Sequence, residues 1–250
     1  MNNSGIVVLL IFFSCSCNNE NNHYYGKNLS VNNLKHNIMK IAYENSPVCY
    51  YDIIMKRNEL VDILEIIPDI IVELKYSTDD NFLNKDVYGC LQKAYLQPEV
   101  ADMLKKSQFY LKSLNPDLTL LVYDAARPVD IQHKMWEMLD MPFNEKIKYL
   151  SNPKNGSIHN FGVAVDVTLA YLDGDALDMG TPFDYFGELA FPSKEKILLE
   201  QGLLTEEQVE NRKLLRKVMY AGGFYGIQSE WWHFNAMNRK IAIELYEIIK

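Results

Sequence analysis

Five histidines occur among the 250 residues, and two of them, His159 and His233, sit in unusual company. His159 lies in Ser157-Ile158-His159-Asn160-Phe161-Gly162-Val163-Ala164-Val165-Asp166, and His233 in Glu230-Trp231-Trp232-His233-Phe234. Two imidazoles and one carboxylate can hold a zinc ion and leave a fourth tetrahedral position for water. That is the pattern of a catalytic zinc site rather than a structural one. Such an ion acidifies water and polarises a carbonyl. A carboxylate beside it can accept the proton and pass it to a leaving amine. Glu230 is the candidate for that base, because three residues of chain tie it to His233. Its neighbours Trp231, Trp232 and Phe234 lower the local dielectric and raise its proton affinity. Each signal alone is weak: a single His near aromatics is more often packed or solvated than a ligand. An Asp inside an apolar run is more telling, since burial without a partner is costly.

These side chains need particular elements to bring them together. His159 and Asp166 are seven positions apart and are not neighbours on one regular element. A turn at Gly162 followed by a strand over Val163–Leu172 would bring them together, with Asp166 on the face of Ala164 and Thr168. Residues 229–234 also read as a strand, in which Glu230 and His233 point to opposite faces. Both can serve one site only if the chain bends or bulges there. Elsewhere, Ile70–Tyr76 and Leu118–Tyr123 read as strands. Pro98–Leu114 and Val129–Leu139 read as helices, as does Thr205–Met219 with a capping-box start. Residues 141–157 carry Pro142, Pro153 and Asn155-Gly156 and read as loop, and Met237–Ile249 as a closing amphipathic helix. Strands and helices are mixed without strict βαβ alternation. The expected class is α+β, a mixed and mainly antiparallel central sheet flanked by helices.

A hydrophobic fraction of 48% over this length supports one sizeable core. The formal net charge of −8 argues against binding nucleic acid or an anionic lipid surface. The apolar run Ile6–Phe13 is shorter than the roughly 20 residues a membrane span requires, and it has the length of an export-signal core. Cys15 and Cys17 follow it directly, as in lipoprotein signals, although Met1–Ser4 contains no Lys or Arg. The expected division is therefore a signal over 1–17, an Asn-rich tether and N-terminal extension over 18–49, and one catalytic domain over 50–250. The working place is the periplasm or cell envelope, with a lipid on Cys15 or Cys17 as the sole membrane attachment. Cys49 and Cys90 then remain, either as two buried thiols or, in an oxidising compartment, as a pair.

Taken together, Ser157-x-His159-x-x-Gly162-x-Ala164-x-Asp166 and Glu230-Trp231-Trp232-His233 closely resemble the D-alanyl-D-alanine dipeptidases. These are zinc enzymes associated with vancomycin resistance and related to D,D-carboxypeptidases. The resemblance extends through Val72–Thr78, Asn81-Phe82, Val87-Tyr88-Gly89, Tyr123–Pro128 and Met179–Asp184, and covers roughly residues 70 to 240. It implies one Zn²⁺ per chain on His159, Asp166 and His233, with Glu230 as base and Arg127 as the transition-state donor. It places Ser157 and Asp184 at the substrate cleft, where Ser157 could hydrogen-bond the dipeptide and Asp184 could pair with the substrate ammonium, or equally be a cap or turn residue before Tyr185. The implied reaction is hydrolysis of D-Ala-D-Ala or a related D,D-dipeptide to free D-amino acids. The alternative is a D,D-carboxypeptidase trimming peptidoglycan stem peptides, which needs a cleft open at the substrate's N-terminal side. Segments 141–156 and 173–202 are long enough to close that side. A zinc-holding protein without catalysis would have no need of Glu230 and Arg127. The sequence departs from the family in two ways. Ala126 stands where an aromatic residue often precedes Arg-Pro, which would loosen packing near Arg127. The export signal also contrasts with the cytoplasmic setting of the best-known relatives, which leaves a cytoplasmic location as the alternative.

Overall fold

The computed structural model describes residues 48–147 and 149–250. The expected signal over 1–17, and the extension up to residue 47, lie outside the described residues. In chain order the elements begin with α1 (Tyr50–Arg57), β1 (Val61–Asp62), α2 (Ile63–Ile66), β2 (Ile71–Val72) and β3 (Tyr95–Leu96). Next come α3 (Pro98–Leu114), β4 (Leu118–Asp124), α4 (Val129–Met138), α5 (Phe143–Lys146) and β5 (Ala164–Tyr171). The chain closes with α6 (Glu195–Glu200), α7 (Glu206–Gly222), β6 (Tyr225–Gly226), β7 (His233–Asn235) and α8 (Arg239–Leu245).

The centre is a five-stranded sheet of order β2-β4-β5-β7-β6. β2 runs parallel to β4 and every other neighbour pair is antiparallel. This is the expected α+β arrangement with a mixed, mainly antiparallel sheet. β4 and β5 are buried on both faces apart from terminal Tyr171, which is why β4 reads as a mostly apolar run; the polar Asp166 and Thr168 of β5 are buried with it. Their register runs from Leu118↔Tyr171 to Val122↔Val167 and then shifts, so that Asp124 faces Asp166. The extra residue on β4 is a bulge, and it re-aims the end of the strand. Asp166 in turn faces His233 on β7. Asp124, Asp166 and His233 thus form one row across three adjacent strands.

Helices α3 and α7 pack along each other and against β4 and β5. α3 begins with Pro98 in the first turn, where the missing N–H costs nothing. α7 begins with Thr205 and Gln208 capping each other's backbone and ends at Gly223, which has φ 101°. Where the two helices cross, a Cβ on Gly222 would clash with Ser107 Oγ and the Met103 carbonyl oxygen. Only glycine permits that approach.

Four expected elements differ in extent. Residues 70–76 pair only at Ile71–Val72 and then form a 3₁₀ turn over Lys75–Ser77. Residues 229–232 are a bend, and only His233–Asn235 pair as a strand. The last helix starts at the Asn238 cap and ends at Leu245. The loop over 141–157 contains the single turn of α5. Among the described residues no helix is long and apolar enough to cross a membrane.

Cys49 and Cys90 are paired, with Cα atoms 5.3 Å apart across a separation of 41 residues. The bond ties the start of α1 to the segment leading into β3. Closing a loop of that size contributes about 4 kcal/mol through the unfolded chain's entropy. Replacing both cysteines by Ser is therefore expected to lower Tm by about 8–16 °C in a domain of this size. A reductant should lower the wild-type Tm similarly and leave the double variant's Tm unchanged.

Candidate active site

The turn carrying His159 is fixed by its own sequence. Ser157 caps a 3₁₀ helix over Ile158–Phe161, its Oγ accepting from the His159 N–H. Asn160 Oδ1 accepts from the Ser157 N–H at 2.6 Å, which closes the capping box. Gly162, at φ 69°, ends the helix, and a Cβ there would lie 2.6 Å from Leu60 Cδ2. The left-handed residue reverses the chain into β5 and brings Asp166 next to His159. Asn160 Nδ2 also donates to the Arg127 carbonyl at 2.7 Å, and the Arg127 N–H donates to the His159 carbonyl at 3.0 Å. The Arg127 loop and the His159 turn are therefore stitched together.

The bend over 229–232 answers the parity objection to Glu230 and His233. The strand begins only at His233, so both side chains reach the same cleft. Asp166 Oδ1 lies 2.9 Å from His233 Nδ1 and 3.4 Å from His159 Nε2. The two imidazole nitrogens are 3.1 Å apart. The outer nitrogens of both rings already have acceptors. His159 Nδ1 donates to the Ala125 carbonyl at 2.7 Å, and His233 Nε2 donates to Asn235 Oδ1 at 2.9 Å. Those bonds fix the tautomers and leave bare lone pairs at His159 Nε2 and His233 Nδ1. With both imidazoles neutral, three acceptors face one another inside the protein, which is unfavourable without a metal cation or a shared proton among them. Their spacing suits zinc: ligand bonds of about 2.0–2.1 Å put tetrahedral donor atoms about 3.3 Å apart. The residues present fit the ion. The protein's own charges respond to the same crowding. Burial pushes the Asp166 carboxyl up, but the two imidazoles outweigh it and hold the group well below the usual range. Burial lowers His233, and the Asp166 bond and charge reverse this, pushing it up to about 9.

Glu230 makes no hydrogen bond or ion pair with any described residue. Burial pushes its carboxyl above the usual glutamate range, with His233 pulling down and Asp166 pushing up. Arg127 is buried and held on three sides. Its Nε donates to Asp124 Oδ2 at 3.1 Å, and its Nη2 donates to the same oxygen. Its Nη1 donates to Gln132 Oε1 at 2.9 Å, and the Tyr76 ring lies 4.9 Å from Cζ. Tyr88 donates its hydroxyl to the other Asp124 oxygen. Burial opposes the guanidinium charge, and Asp124 secures it. This corrects the expected looseness at Ala126, which is buried with its N–H on the Tyr95 carbonyl at 2.9 Å. Asp184 sits at φ 59°, uncommon for a residue with a side chain. Both its oxygens accept from the Tyr76 hydroxyl, at 2.8 and 3.0 Å. Burial pushes its carboxyl well above the usual range, the Tyr76 bond pulls it down, and the Asp166 charge pushes it up again.

All seven residues singled out from the sequence line one cleft of about 370 Å³. Sequence reading did not single out Asp124, Gln132, Tyr76 or Asn235. Asp124 and Tyr76 lay inside recognisable segments, but their work is to hold another side chain, and only the bulge and the tertiary contacts reveal that. Gln132 reads as an ordinary helix residue. Asn235 carries a weak signal, since a residue two positions along a strand from His233 shares its face.

A family model described as D-Ala-D-Ala dipeptidase matches residues 56–250. The D-alanyl-D-alanine dipeptidase of Escherichia coli is 36% identical over 176 residues, covering 70% of this chain and 83% of that one. The D-alanyl-D-alanine dipeptidase of Enterococcus faecalis is 28% identical over 181 residues, covering 66% and 85%. A solved structure of the vancomycin-resistance D,D-pentapeptidase VanY is similar at a TM-score of 0.35 and 13% identity, over 62% of this chain and 80% of that one. With the family model spanning the whole region that builds the cleft, the chain belongs to the D-Ala-D-Ala dipeptidase family of metallopeptidases.

Proposed function

We propose that this chain hydrolyses D-Ala-D-Ala, or a closely related D,D-dipeptide, with one Zn²⁺ held by His159, Asp166 and His233. The observation that carries the reading is the convergence of three potential ligand atoms beside a carboxylate with no partner among the described residues and a pinned guanidinium. When bound, the ion acidifies water and polarises the scissile carbonyl. Glu230 takes a proton from the attacking water and delivers it to the leaving amine nitrogen. Burial raises its proton affinity towards the working pH, which suits both halves of that task.

Arg127 spends three of its N–H bonds on Asp124 and Gln132. Its remaining donors can face the oxyanion that develops on the carbonyl. Because the guanidinium is fixed beforehand, little reorganisation accompanies the reaction. Asp184 receives the substrate ammonium. That cation would draw its carboxyl back towards the ionised form, while Tyr76 keeps it aimed. Ser157 sits at the cleft wall, where its hydroxyl caps the His159 turn and has acceptor capacity left for the dipeptide.

We further propose that residues 50–250 form the catalytic domain, that 1–17 direct export, and that 18–49 tether the domain to a lipid on Cys15 or Cys17. The Cys49–Cys90 bond supports an oxidising compartment, in which the substrate would be dipeptide outside the cytoplasm.

The test is a panel of D,D- and L,L-dipeptides, each with and without an N-acetyl group, given to zinc-loaded protein. D-Ala-D-Ala should yield free D-Ala. Cleavage of N-acetyl-D-Ala-D-Ala with no turnover of the free dipeptide would replace the reading with a D,D-carboxypeptidase.

A further inference from the structure

One aromatic contact joins two segments that the sequence left as irregular chain. Tyr149 stacks on Phe186 with ring centroids 4.3 Å apart and planes inclined by 20°. Tyr149 also lines the active-site cleft. Phe186 is braced from behind by Phe82 at 5.1 Å, and Phe82 meets Tyr76 edge-on at 6.1 Å. Tyr76 is the residue that aims Asp184. The stack is thus mechanically tied to the wall of the site and is not a stray surface contact.

The space behind that wall is small. A crevice of about 20 Å³ lies beyond the main cleft, bounded by Tyr149, Asp184, Phe186, Glu230 and Trp232. Asp184, Glu230, Trp232 and Tyr149 border both spaces. A single water needs about 10–15 Å³ measured in this way. The crevice therefore has room for one water and not for an acyl group.

We propose that the Tyr149–Phe186 stack closes the end of the cleft beyond Asp184 and limits the substrate to a free dipeptide. This rests on the reading of Asp184 as the ammonium anchor of a D,D-dipeptidase. If the amine lies against Asp184, any N-terminal extension points into the crevice and meets the two rings. Tyr149 and Phe186 are then specificity-determining residues: they exclude longer peptides and take no part in the chemistry.

The experiment measures kcat/KM for N-acetyl-D-Ala-D-Ala relative to D-Ala-D-Ala in the full zinc-loaded chain. Phe186→Ala and Tyr149→Ala should each raise that ratio, by about 10–200-fold, the discrimination available from a small volume of apolar pocket. Tyr149→Phe keeps the stacked ring and should leave the ratio as in the wild type. Binding of both peptides to the same variants on a Glu230→Gln background, read by calorimetry, should show the same change in discrimination without turnover. If Phe186→Ala does not fold, Tyr149→Ala alone carries the test. Wild-type preference for the free dipeptide with no change in the ratio in a folded Ala variant overturns this inference and leaves the dipeptidase reading standing. Wild-type cleavage of the acetylated peptide alone overturns the dipeptidase reading itself.

Discussion

Glu230→Gln is expected to lower kcat by about 10²–10⁴-fold, the usual contribution of a positioned general base. That is a barrier increase of roughly 2.7–5.4 kcal/mol. The substitution preserves shape and removes only the ability to accept a proton. Glu230 has no hydrogen-bond partner among the described residues, so the variant breaks no internal contact, and fold and zinc content should be retained. Metal analysis and a thermal melt check both points. The pH profile gives a second readout. A base works only when ionised, so activity falls as pH drops through its pKa. Burial raises that pKa and a bound divalent cation lowers it, so the position of the acid limb reports the balance of the two. The residual activity of Glu230→Gln should lack this inflection. A kcat within threefold of wild type, with zinc still bound, would remove Glu230 from the role of base.

How much of this was readable in advance follows from where each signal is local. Helix α3 and the start of α7 are announced by Pro98 and by the Thr205–Gln208 box, because capping is settled within one turn of chain. β4 announces itself by a short, mostly apolar run, and β5 by alternation in which Asp166 and Thr168 share one face. The turn at Gly162 was legible for the same reason, since a left-handed residue between a histidine and a strand can be read directly. The metal trio was readable as residue types and as a resemblance, but not as geometry. Strand parity set Glu230 and His233 on opposite faces, and only the bend over 229–232 resolves it. That bend depends on tertiary contacts, such as the Val167 N–H donating to the Trp232 carbonyl at 3.0 Å and the Trp231 indole N–H donating to Thr181 Oγ1 at 2.8 Å. The same applies to Asp124. Its position opposite Asp166 needs a bulge whose extra residue no periodicity in LTLLVYD discloses. The Cys49–Cys90 pair was open for a related reason: sequence separation does not fix a Cα distance.

Removing the metal is expected to abolish turnover and also to destabilise the protein, and the two effects have one origin. His159 Nε2, His233 Nδ1 and Asp166 Oδ1 are mutually within 3.4 Å, and the second nitrogen of each ring is committed elsewhere. No rearrangement of protons confined to the trio satisfies all three acceptors as well as a divalent cation does. A chelator should therefore take activity to background, and added Zn²⁺ should restore it. If free zinc is about 1,000-fold above its Kd, the folded state gains about 4.1 kcal/mol from the ion, which in a domain of this size is a Tm shift of about 8–16 °C. Asp166→Ala separates this from a general effect of chelators. It removes one of the three donors, so its Tm should no longer respond to zinc and its activity should stay at background when zinc is supplied. Acid weakens the metal's hold in the wild type, because protons compete for the imidazoles. Turnover that persists through exhaustive chelation, or a zinc-dependent Tm in Asp166→Ala equal to that of the wild type, would mean that the ion is held elsewhere and that the convergence of these three side chains has another cause.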